Sequence, residues 1–141
     1  EDDKKMLSTL KDLLADNGQL IIVVPCFPFL YGKRDENLGH YRRYKKKELI
    51  KMLEKEGFII QKKRYWNMLG FIPYLLSEKV FKQELRTDLR TPHKVGFTKK
   101  FIIKCLFIWF KFIEYYINFG FGLSLIVVAQ LKPVQDSNHS Q

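Results

Sequence analysis

Between positions 31 and 44 the chain gathers Tyr31, Asp35, His40, Tyr41, Arg42, Arg43 and Tyr44. Histidine is the side chain whose unperturbed pKa lies closest to neutrality, which makes His40 the candidate general base for taking a proton from an acceptor hydroxyl. The planar guanidinium fork matches carboxylate and phosphate oxygens, so Arg42 and Arg43 would hold an anionic acceptor, with one of the two facing solvent. A competing structural reading has His40 bonded to a neighbouring loop and Arg42 or Arg43 paired with Asp35 or Glu36, so that the cluster fixes a loop. Asn67 follows the aromatic pair Tyr65-Trp66 and would either reach the same cleft or form a turn. Cys26 and Cys105 lie far apart with no CxxC spacing, and the chain has three histidines, so neither a disulfide scaffold nor a metal site is expected.

The elements that must position these residues follow from the hydrophobic pattern. Met6, Leu7, Leu10, Leu13 and Leu14 mark one face of a helix over about residues 3–15, and Asn17-Gly18 stops it, with Gly18 suited to the left-handed position. The run Leu20-Ile21-Ile22-Val23-Val24 is apolar at every position, as expected of an interior strand covered on both faces. Pro25 and Pro28 end that strand, leaving residues 26–37 as a loop at its C-terminal edge, where open α/β sheets bind ligands. Leu49, Ile50 and Leu53 predict a helix over about 45–56, and Gly57 ends it. A second strand opens at Phe58-Ile59-Ile60 and runs to Trp66, polar enough to lie toward the sheet edge. Residues 68–118 break the rhythm and read as a helical insert: a helix over about 73–81, an irregular charged segment over 83–96, and an aromatic helix from near Thr98. A final strand over 122–129 follows, and 135–141 read as a polar, disordered tail after a domain spanning 1–134. The fold class is therefore α/β in the order α-β-α-β-(helical insert)-β.

The 141 residues carry 25 Lys and Arg against 15 Asp and Glu, a net charge of +10, and 46% are hydrophobic. That length and composition fit one domain and exclude a disordered chain. Twelve basic and five acidic side chains fall between 33 and 65, so most of the excess sits there. Lys45-Lys46-Lys47 and Lys62-Lys63-Arg64, interleaved with Tyr41, Tyr44, Tyr65 and Trp66, resemble a nucleic-acid footprint, but solvated lysines on a helix start and an edge strand are the ordinary reading. In the aromatic helix Lys100, Lys104, Lys111, Glu114 and Asn118 fall on one stripe and large apolar side chains fill the rest. Charges on that stripe oppose a membrane-spanning role. Two placements remain, against the sheet and the neighbouring helix, or in the plane of a membrane surface. No basic and apolar leader pattern follows Glu1, so a cytoplasmic, or membrane-peripheral, location is expected.

Two stretches go beyond a generic α/β pattern. Asn17-Gly18-Gln19-Leu20-Ile21-Ile22-Val23-Val24-Pro25, with Leu30-Tyr31-Gly32, Asp35 and Leu38-Gly39-His40-Tyr41-Arg42-Arg43-Tyr44, resembles the C-terminal half of class I S-adenosylmethionine-dependent methyltransferases. The likeness is to bacterial and archaeal members whose fifth strand ends in Val-Pro before such an LGHYRRY segment. It continues through Glu48-Leu49, Glu56-Gly57-Phe58 and Arg64-Tyr65-Trp66-Asn67, and resumes at Gly122-Leu123-Ser124-Leu125. Glu1-Asp2-Asp3 is similar to the acidic end of the motif after the family's fourth strand. The resemblance covers nearly the whole chain except the insert and tail.

It implies the C-terminal part of a Rossmann-like sheet whose last two strands are antiparallel. Tyr31, Asp35, Tyr41, Arg42, Arg43, Tyr44 and Asn67 would then lie on the substrate side, with His40 as the catalytic candidate. S-adenosylmethionine would be the cofactor of the complete enzyme, held by a glycine-rich loop after the first strand, an acidic residue after the second and residues around the fourth. No such loop precedes Glu1, and the one G-x-G, Gly120-Phe121-Gly122, stands before a strand. The expectation is a fragment that is inactive alone, with no cofactor-binding residues of its own. Its partners would be the N-terminal half of the domain, a small-molecule or lipid-linked acceptor, and a membrane surface.

Overall fold

The computed structural model describes residues 2–77 and 97–132, with side chains described at all of these except 97–99. Helix α1, Asp3–Asp12, starts where the Asp2 carboxylate accepts the Lys4 and Lys5 amides, and its Lys11 sits at the negative end of the helix dipole. It buries Leu7, but it ends before the expected boundary. Leu13 falls at its cap and is exposed, as is Met6. Asn17, rather than Gly18, takes the left-handed conformation, with φ 61°; asparagine tolerates it because its short side chain bonds locally.

Strand β1 is Gln19–Pro25, β2 is Phe58–Trp66 and β3 is Ser124–Leu131. They form one sheet in the order β1-β3-β2, with β3 antiparallel to both neighbours. Strands β1 and β2 therefore run the same way, as a strand-helix-strand crossover requires, and helix α3, Lys46–Lys55, lies on their connection. The β2–β3 register shifts between Ile60 and Lys62, a bulge in a strand whose outer edge carries lysines. The core lies on one face of the sheet, where Leu125, Val127 and Ala129 of β3 meet Leu7 of α1, Leu49 and Leu53 of α3, and Phe58.

The opposite face is open at β1. Ile21 and Val23 are 64% and 62% exposed, so the fully apolar run is covered on one face only. Among the described strands β1 is an edge, which corrects the expectation of an interior strand. The edge nature of β2 is as the sequence predicts.

Residues 26–37 are not a plain loop. A 3-10 turn at Pro28–Leu30 and a short helix α2, Lys33–Asn37, form there. Asp35 makes the helix possible by accepting the Gly32 amide at 3.2 Å, one half of a capping box. Helix α4, Met68–Leu75, begins before the expected start at Pro73, because Asn67 caps it by accepting the Gly70 amide at 3.0 Å. Helix α5, Phe97–Ile108, passes into π-helical turns at Trp109–Glu114. The expected charged segment 83–96 and the tail 135–141 lie outside the described residues, as does the end of the helix expected over 73–81. Among the described residues no helix is long and apolar enough to cross a membrane.

Candidate functional site

The C-terminal end of β1 is where the candidate residues converge. Its last residues are stitched to the 40–44 segment: the Tyr44 amide donates to the Pro25 carbonyl at 2.9 Å, and the Phe27 amide to the Tyr44 carbonyl at 3.1 Å. Upstream, α2 ends in a Schellman turn. The Gly39 amide donates to Glu36 O at 3.0 Å and the His40 amide to Asp35 O at 2.8 Å. Gly39 has φ 74°, the left-handed conformation that this turn needs and that a Cβ would penalise. The Leu-Gly-His spelling thus sets His40 directly above the helix that carries Asp35.

Asp35 is the hub. Its side chain is 1% exposed. Its Oδ2 accepts from Arg43 Nε at 2.7 Å and from the Tyr74 hydroxyl at 2.8 Å, and its Oδ1 faces His40 Nδ1 at 3.1 Å. Burial alone would raise the Asp35 carboxyl, but hydrogen bonds from Arg43, His40 and Tyr74, with the Arg43 charge, outweigh it and hold the pKa below 3.8. Burial and the hydrogen bond to Asp35 push the Tyr74 hydroxyl up to about 12. Arg43 is itself buried, donates from Nη1 to the Cys26 carbonyl at 3.0 Å, and lies 4.6 Å over the Tyr74 ring. Cys26 is buried too, its thiol donating to Gly122 O at 2.9 Å, and desolvation pushes its pKa up to about 12. This is an inert structural thiol.

His40 stands between two hollows. The first, about 490 Å³, is lined by Asp2, Asp3, Met6, Pro25, Gly39, His40, Tyr41, Arg42 and Tyr44. The second, about 500 Å³, has Asp35, His40, Arg43, Asn67 and Tyr74 among its polar walls, and Leu69, Pro73, Leu106, Phe110 and Leu123 among its apolar ones. Among the described residues His40 and Pro25 alone line both. With Asp35 ionised, the Nδ1 proton points at its carboxylate, so the ring presents Nε2 as a proton acceptor. An oriented histidine of this kind can serve as a general base.

The structure separates the sequence candidates. Arg43 is the buried arginine and pairs with Asp35, whereas Arg42 faces solvent and donates to Asp3, an acid outside the expected Asp35 or Glu36 pairing. The Tyr44 hydroxyl donates to the same Asp3 oxygen at 2.8 Å, and the Arg42 guanidinium lies 4.9 Å over the Tyr44 ring. Tyr41 is 80% exposed on the rim of the first hollow. Tyr31 lines neither hollow; its hydroxyl donates to the His40 carbonyl at 3.1 Å and steadies the turn. Asn67 lines the second hollow, but its side-chain oxygen is committed to capping α4.

Sequence reasoning missed Tyr74. It lies far along the chain from Asp35 in an apolar helix, and only the tertiary fold brings its hydroxyl to that carboxylate. Glu114 is a second correction, since it does not share the solvent stripe of the lysines. It is 1% exposed, and its Oε1 accepts the Met68 amide at 2.7 Å, a bond that ties the π-helical turns to the start of α4. Arg64 likewise is no free basic group on β2. It donates to the carbonyls of Glu114, Tyr115 and Ile117, and its guanidinium lies 5.3 Å over the Trp66 ring.

Among the described residues neither β1 nor β2 runs into a glycine-rich turn: β1 leads into Pro25-Cys26-Phe27-Pro28 and β2 into Asn67. The Gly120-Phe121-Gly122 segment precedes β3, and a Cβ on Gly122 would lie 2.4 Å from the Trp66 carbonyl oxygen, so that glycine serves close packing against β2. Among the described residues no group of three His, Cys, Asp or Glu side chains could hold a metal ion. No protein-family model matches the chain, and comparisons with curated proteins and with solved structures found no significant match.

Proposed function

We propose that this chain forms the acceptor side of a methyltransferase active site, part of a Rossmann-like sheet completed along the open edge of β1 by a cofactor-binding half. The observation that carries the reading is the placement of His40. It is fixed by Asp35 at the C-terminal end of a β-strand and shared by two hollows, in a segment whose spelling resembles the substrate-side motif of class I enzymes. Methyl transfer from a bound donor needs an acceptor held in line and, for a hydroxyl acceptor, a base that takes its proton. The second hollow, lined by apolar side chains such as Leu69, Pro73, Leu106 and Phe110 and by polar ones such as His40 and Asn67, suits an acceptor with an apolar body and a polar reacting group. His40 Nε2 would receive the proton while Asp35 holds the ring, and Arg43 and Tyr74 keep Asp35 ionised.

The antiparallel β3 between the parallel β1 and β2 supports the closing end of such a sheet. Titration calorimetry tests the reading. S-adenosylmethionine should give no saturable heat with the 141-residue chain and a saturable isotherm once a cofactor-binding half is joined to its N-terminus. Tight binding by the chain alone would overturn the proposal.

A further inference from the structure

We propose that the outward face of α5 and the π-helical turns after it is a docking surface for an anionic lipid bilayer. The claim goes beyond the methyl-transfer reading and does not depend on it. Phe101, Ile108, Phe112 and Tyr115 are 62%, 44%, 56% and 60% exposed and succeed one another at helical spacing, so large apolar side chains form a continuous exposed strip.

The charges along this strip have one sign. Lys100, Lys104 and Lys111 are exposed, while the acid of the stretch, Glu114, is turned inward onto the Met68 amide. Lys111 Nζ sits over the Phe107 and Phe112 rings, 5.7 Å and 5.4 Å from their centres, so this ammonium is held against the exposed aromatic side chains.

That combination selects the occupant. A helix that binds in a protein groove buries a narrow apolar stripe and needs no uniform charge at its margins. Here the apolar surface is broad and every outward charged side chain described from 100 to 114 is a lysine, which complements the phosphate and carboxylate groups of an anionic leaflet. No described helix is long and apolar enough to span, so the helix would lie in the interfacial plane, aromatics down and lysine heads among the headgroups. Tyr115 and Tyr116, exposed at its end, suit the same depth.

The chain carries its own reporter. Cys105 is exposed on α5 and Cys26 is buried, so an environment-sensitive fluorophore can be attached at Cys105. The labelled chain should sediment with phosphatidylcholine vesicles containing phosphatidylserine at least about tenfold better than with phosphatidylcholine alone, at roughly a kcal/mol per lysine. Binding should weaken as salt screens the charges, and the emission should shift to the blue. Paired Phe101→Ser and Phe112→Ser changes should abolish sedimentation while circular dichroism stays unchanged, and paired Lys104→Glu and Lys111→Glu changes should remove the preference for anionic lipid. Absence of sedimentation at low salt, or binding indifferent to both pairs of changes, would overturn the proposal. Apolar-dependent self-association without vesicle binding would overturn it in favour of a protein partner.

Discussion

Asp35 gives up its water for an arginine, a tyrosine and a histidine, and such a buried carboxylate is stable only while its cation stays in place. Removing one charge of the pair strands the other, because the Arg43 side chain is 4% exposed. Asp35→Asn keeps the shape and should cost about 3–5 kcal/mol in urea denaturation. The sign of the pH dependence follows from the lowered carboxyl. The folded pKa lies below the ordinary 3.8, so the stability contributed by Asp35 is fully present above that value and is lost as pH falls below it. The acid limb of the stability curve should therefore flatten in Asp35→Asn.

His40 has a different profile, since its side chain is 38% exposed and it contributes only one of the bonds to Asp35. On the methyl-transfer reading, His40→Gln in the protein joined to a cofactor-binding half should lower kcat by about 10²–10⁴-fold, the usual worth of a general base, with little change in the denaturation midpoint. A shift in the midpoint with an unchanged kcat would instead assign His40 to loop fixation.

At the scale of elements, α2 is held by its caps. It spans Lys33–Asn37, too short to persist on its own, and depends on Asp35 at its start and Gly39 after its end. Gly39→Ala should cost about 1–2 kcal/mol through the left-handed backbone, and Gly39→Asn less, measured by thermal unfolding. This explains which elements the sequence discloses. Helix α3 and strand β2 are legible because Leu49 and Leu53 keep one face, and because the lysines of β2 mark an edge. Helix α2 is invisible to periodicity, since a helix this short has no repeating apolar face.

The start of α4 is hidden because an asparagine after an aromatic pair reads equally as a turn. Of the site itself, an arginine–carboxylate pair and one solvent-facing arginine are readable from the close spacing of the charges, whereas the choice of Arg43 and Asp35 for the pair and of Arg42 for solvent comes from the fold. Tyr74 is not, because its meeting with Asp35 depends on how α4 folds back. The inward turn of Glu114 is hidden too, since it follows from the π-helical turns that interrupt the even helical period of α5.

For the whole molecule, the imbalance of the sheet carries the account. One face holds the core, and the other presents Ile21 and Val23 to solvent beside an edge that no described strand covers. Tyr44 pairs only with the last residues of β1, at the site itself, and leaves the edge open upstream. An open apolar edge of this kind is a template for another strand. Because the Cys26 amide donates to the Leu123 carbonyl of the turn before β3, alternation along the ladder aims the amides of Ile22 and Val24 at β3 and those of Ile21 and Val23 at the open edge. Residue-resolved amide hydrogen exchange reads this directly, before and after a cofactor-binding half is joined to the chain. The account predicts that Ile21 and Val23 exchange fast in the chain alone while Ile22 and Val24 are protected, and that all four are protected in the joined protein. Saturable S-adenosylmethionine binding in a joined protein whose Ile21 and Val23 amides still exchange fast would contradict it.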